Sequence, residues 1–129
     1  MQLTEHRPGN HHVVRRVDSS AVWIDDQRIE HSLIVGARFL RTDWPVRDLA
    51  DLNEQALTPI FELSPELVLI GFGDQQQFVA PSLQRRFFEQ GIGLECMTLP
   101  AACRTFNVLM SENRRAIAAL ILSGNTTDA

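Results

Sequence analysis

At 129 residues, with 44% hydrophobic and 22% charged side chains, the chain is long enough for one ordinary core and too short for two. A formal net charge of −4 excludes the basic excess with which a nucleic-acid binder neutralises phosphates, and the pairs Arg15-Arg16, Arg85-Arg86 and Arg114-Arg115 read as solvated ends of strands and helices. Two cysteines, Cys96 and Cys103, lie at neither a CxxC nor a metal-type spacing, which points to a reducing compartment, and the longest apolar run, Ala116 to Leu122, is far short of the ~20 residues a membrane helix needs.

We expect one domain over 1–129, its core at about 12–122, with loosely ordered ends at 1–10 and 123–129. Met1 to His12 is polar and lacks an apolar stretch, so no secretory signal is expected and the expected location is cytoplasmic. The first third reads as strands. His12 to Val17 is β-rich, Ala21 to Ile24 runs into the turn pair Asp25-Asp26, and Arg28 to Val35 resumes, which is a hairpin pattern. Phe39 to Trp44 adds a short extended piece that ends before Pro45.

A helix follows, capped by Asn53, with Ala56, Leu57, Ile60 and Phe61 at helical spacing and Pro59 shortening or kinking it. Leu67-Val68-Leu69-Ile70 is continuously apolar, as in a strand covered on both faces. Pro81-Ser82 opens a second helix through Gln90, with Leu83, Phe87 and, as a further candidate, Phe88 facing inward and Gly91 as its stop, and Leu94 to Met97 is a short strand. Thr98 caps a third helix with Pro100 in its first turn. Leu99, Ala102, Phe106, Leu109 and Met110 form its buried stripe; Arg104, Asn107 and Ser111 form a polar one. Ala116 to Leu122 closes the chain as a buried strand. The alternation predicts an α/β, three-layer domain. It has a mixed, mostly parallel central sheet flanked by helices, and an N-terminal β-hairpin packs as an edge addition or a second small sheet.

Gly71-Phe72-Gly73 follows a buried strand, where a phosphate-binding turn would sit. The third glycine of a dinucleotide fingerprint is replaced by Gln76, and the chain contains no lysine for a P-loop. These glycines read as a tight turn, with a backbone ligand contact as the alternative. His6, His11, His12 and His31 lack metal-ligand spacing, so neither a metal nor a cofactor is expected. Cys96, Cys103 and Ser82 are the candidate nucleophiles. Cys103 near a helix start, beside Arg104, is placed for a lowered thiol pKa, but sequence sets no base near it and a packed structural thiol is the other reading. Around Thr98, free N–H groups with Arg104, Thr105 and Asn107 make either an anion receptor or a brace for the Gly71-to-Asp74 turn.

The order Gly71-Phe72-Gly73, Phe78-Val79-Ala80-Pro81, Gly91 to Thr98, Ala101 to Leu109 and Glu112 to Leu120 resembles the Mth-type domain family of unknown function, over roughly residues 12–122. That family includes a mitochondrial complex I assembly factor and an adipogenesis-associated protein. The resemblance implies a three-layer fold with a mixed sheet and an extra β layer. It implies no catalytic residues, and a shared pocket or surface at Gly71, Gly73, Thr98, Ala102, Arg104, Thr105 and Asn107 with no role assigned. This chain departs from the pattern at Leu99-Pro100, where a small residue is common, and at Phe106, where tyrosine is usual.

Two functions are therefore expected as alternatives. One is a non-catalytic binding or assembly module for a respiratory or membrane-associated complex, acting on a protein partner and not spanning the membrane. The other is a small-molecule-binding protein or enzyme using a cleft formed by Gly71, Phe72, Gly73, Thr98, Arg104, Thr105 and Asn107. Homo-oligomerisation through edge strands or exposed Trp23 and Trp44 is left open.

Overall fold

A computed structural model describes residues 11–123. The expectation of loose ends at 1–10 and 123–129 falls outside the described residues, except for Ser123, which is exposed. The three-layer α/β reading is the observed architecture. Strands β1 (Val14–Val17), β2 (Val22–Ile24) and β3 (Gln27–Ile29) form a small antiparallel sheet in that order. Strands β4 (Leu33–Val35), β5 (Leu40–Arg41), β6 (Leu67–Phe72), β7 (Gly93–Met97) and β8 (Ala116–Ile121) form the central sheet in the order β5-β4-β8-β6-β7. The last strand in sequence is the middle strand in space. It pairs parallel with β6 and antiparallel with β4, and β6 pairs parallel with β7, so the sheet is mixed.

Side-chain alternation along the central strands divides the core in two. Leu33, Val35, Leu69, Ala118 and Leu120 face one side, where helix α3 (Leu99–Ser111) and the small sheet lie. Ile34, Val68, Ile70, Ile117, Ala119 and Ile121 face the other, covered by α1 (Glu54–Phe61) and α2 (Pro81–Glu89). Both faces of β8 are thus buried, and this covering overrides the helical propensity of its alanines.

The helix signals hold at the ends of the helices, but on α2 Phe87 is buried and Leu83 half-buried whereas Phe88, an inward candidate, stands in solvent. Asn53 caps α1 by accepting from the Ala56 amide, Thr98 caps α3 by accepting from the Ala101 amide, and Gly91 follows α2 at φ 72°. The expected stripe of α3 is buried, joined by Cys103. Phe106 is fully buried.

Two expectations are corrected. Arg28 to Val35 is not one strand: β3 ends in the small sheet and β4 begins in the central one. Between them the buried Ser32 hydroxyl donates to the Val46 carbonyl and accepts from the Leu122 amide at 2.8 Å, which fixes the crossing from one layer to the other. Trp44 is not exposed. It is 2% accessible, and its indole N–H donates to the Ala56 carbonyl at 3.0 Å, anchoring the approach to α1. Trp23 is half-buried, with the Arg16 and Arg28 guanidinium groups 4.5 and 5.2 Å from its ring centroid.

Candidate functional site

The carboxyl ends of β6 and β7 lie side by side, with Gly71 in register with Met97. The chain leaves β6 through Gly73, whose φ of 69° lies in the left-handed region open to glycine. The Gly73 carbonyl accepts from the Leu99 amide at 2.9 Å, so the turn is bonded to the first residue of α3. A Cβ at Gly71 would lie 2.6 Å from the Cβ of Ala102 and 3.1 Å from a methyl of Leu120. Gly71 therefore lets α3 descend onto the sheet. Phe72 is half-buried against the core on the α1–α2 side. Gln76 donates to the Cys96 carbonyl at 2.8 Å, tying the following loop to β7.

The seven residues singled out from sequence share one rim and one helix but divide along it. Gly71, Gly73 and Thr98 form the strand–helix junction. Arg104 is exposed, with no ion pair among the described residues, and Thr105 is half-buried. Asn107 sits about 12 Å along α3 from its first residue, Leu99, at about 1.5 Å per residue. There its side chain accepts from the Val14 amide and donates to the Val14 carbonyl, both at 2.9 Å. That amide is committed to holding β1 against α3.

Cys103 is 3% accessible, and burial pushes its thiol up to about 12 against the opposing pull of Arg104. Desolvation outweighs the helix start and keeps the sulfur protonated. Burial also raises the half-buried Cys96 thiol. Ser82 is exposed on the first turn of α2. His12 is paired with Asp25 at 2.6 Å. Among the described residues no three His, Cys, Asp or Glu side chains converge as a metal ion requires.

Two of the concavities away from the junction carry the aromatic and basic side chains of most interest. Beside the edge strand β7, Phe78 (67% accessible) and Phe88 (83%) flank a groove of about 410 Å³ reaching Leu94 and Cys96. At the opposite end of the sheet, a cleft of about 890 Å³ opens between the turn at 36–39 and the α3–β8 turn. None of the seven residues assigned from sequence to a ligand cleft lines it. Its arginines, Arg38, Arg114 and Arg115, come from distant segments, and only the topology of β4 beside β8 brings them to one rim.

The family model described as "Protein of unknown function (DUF498/DUF598)" matches residues 14–121. The chain belongs to this family. Among its relatives, the bovine (Bos taurus) protein named NADH dehydrogenase (ubiquinone) 1 alpha subcomplex assembly factor 3 is 36% identical over 80 residues. That match covers 60% of this chain and 44% of the bovine protein, so the chain spans about half the length of that curated relative. Among solved structures, a Xanthomonas campestris protein superimposes with a TM-score of 0.83 at 33% identity, covering 100% of this chain and 98% of the other. A Bordetella pertussis protein described as an Mth938-like domain gives a TM-score of 0.81 at 24% identity over 98% and 95% of the two chains, a likeness of fold alone. Both solved neighbours share the three-layer fold of this DUF498 chain, and no helix among its described residues is long and apolar enough to cross a membrane.

Proposed function

We propose that this chain is a non-catalytic binding module that helps assemble a respiratory or membrane-associated complex, docking on one of its protein subunits from the cytoplasmic side. The observation that carries the reading is the pair Phe78 and Phe88, which stand in solvent on either side of one groove at the edge of the central sheet. Neither ring contributes to the core. Aromatic side chains flanking a shallow pocket are the kind that supply most of the free energy when a protein partner covers them. Family membership supports the same reading, since the bovine relative bears the name of an assembly factor. The thiols support it too, because burial holds both protonated and so blunts them as nucleophiles.

The test is a pull-down from native cells, with membranes dissolved in mild detergent, using the full chain and a Phe78→Ser/Phe88→Ser variant. Both rings are solvent-exposed, so the fold is retained. We expect the unaltered chain to retrieve a subunit of a membrane complex and the double variant to lose at least nine-tenths of it. Retrieval of further copies of this chain alone, or equal recovery by the variant, overturns the proposal.

A further inference from the structure

The cleft at the opposite rim goes beyond that reading. Its walls are two turns held by backbone hydrogen bonds. The Gly36 amide donates to the Phe39 carbonyl at 2.8 Å, and Asn113, at φ 58°, turns the chain out of α3 while its amide donates to Met110 at 3.0 Å. The Arg114 amide reaches back to Leu109, and the Glu66 amide donates to the Arg115 carbonyl at 2.9 Å. These bonds fix the opening before any ligand arrives, which lowers the ordering cost of binding. Its volume of about 890 Å³ lies within the range of small-molecule sites.

The lining divides by chemistry. Phe39, Leu63, Met110 and Ile117 supply an apolar floor, and three arginines stand at the mouth. Arg114 is neutralised by Glu66, with nitrogen–oxygen distances of 2.9 and 3.0 Å. The side chains of Arg38 and Arg115 are exposed and have no ion pair among the described residues. The carboxyl end of α3 points toward the same rim and by itself disfavours an anion. Its last carbonyls, however, accept from the Glu112, Asn113 and Arg114 amides, which leaves the guanidinium groups as the strongest local charges.

We propose that this cleft binds a small amphiphilic anion: one carboxylate, sulfonate or phosphate group on an apolar chain or ring. Arg38 and Arg115 take the charge, bidentate geometry favouring a planar or tetrahedral oxyanion, and the Phe39–Met110–Ile117 floor takes the apolar body.

The test follows backbone amide NMR signals of the full chain during titration with octanoate, 1-octanol and acetate. Octanoate is expected to move the signals of Gly36, Arg38, Phe39 and residues 115–117, and to bind at least fivefold more tightly than either control. The Arg38→Ala/Arg115→Ala variant should weaken octanoate at least tenfold, Arg38→Lys/Arg115→Lys should recover only part of that loss because an ammonium keeps the charge without the bidentate fork, and Arg104→Ala at the other rim should change nothing. Both arginines are exposed, and the spectrum of each variant itself reports the fold. The proposal is overturned if octanoate moves no signals or moves signals elsewhere, if octanol binds equally well, or if the double alanine variant binds as the unaltered chain does.

Discussion

A methyl group added at Gly71 would meet the Cβ of Ala102 at 2.6 Å, closer than unbonded carbons approach, with the Leu120 methyl at 3.1 Å behind it. Relief requires α3 to lift from β6, which opens the core on that side. Gly71→Ala should therefore cost about 1–3 kcal/mol, seen as a lower midpoint of urea unfolding with an unchanged slope; an unaltered midpoint would mean the two layers separate freely. The sequence shows two glycines in a turn and cannot show what lies over them. Turning belongs to Gly73, at φ 69°, whereas Gly71 sets the separation of helix and sheet. Cys103 carries the same lesson. Its place near a helix start and beside Arg104 argues for a lowered pKa, yet the packing of α3 on the sheet dries the sulfur and moves it the other way.

The element that depends most on a single side chain is β1. Its partner β2 holds one edge, while the Asn107 amide engages Val14 as a neighbouring strand would, donating and accepting at once. Asn107→Ala leaves both Val14 groups without that partner and should cost about 1–3 kcal/mol. Amide hydrogen exchange should quicken at Val14 and along β1 while β6 and β8 keep their protection; uniform acceleration of all strands would contradict a local clamp. Helices were legible from sequence because their signals are local: a cap at Asn53 or Thr98, a stop at Gly91 and an apolar stripe suffice. Strands were legible as segments but not as members of a sheet. Nothing within Arg28 to Val35 announces that the chain changes layers near Ser32, because the reason is a pair of hydrogen bonds to residues 46 and 122. For the same reason Asn107, read as part of a ligand-facing stripe, had no visible partner ninety-odd residues upstream.

Across the whole molecule, Glu66 joins the start of β6 to the turn that leads into β8. Hydrogen bonding from the Arg114 side chain, then from the Arg115 amide, holds its carboxyl below the ordinary value of 4.5. A carboxyl depressed in the folded state stabilises fully above its unfolded value and loses that contribution as pH falls through the folded one. Glu66→Gln should thus lower the urea midpoint at about pH 7, and the gap to the unaltered chain should narrow as pH falls below the ordinary glutamate value of 4.5; a gap that widens toward acid would reverse the assigned sign. The family and layer order were readable from the motifs between Gly71 and Asn107, whereas the cleft was not, since its arginines meet only once β4 lies against β8. That adjacency has a consequence for biosynthesis. The strand that joins the two halves of the sheet spans residues 116–121, so a ribosome has released most of the chain before β4 and β6 acquire their common neighbour. Until then each exposes a bare, apolar edge, and nascent chains halted upstream of Ala116 are the species on which aggregation and chaperone capture should concentrate.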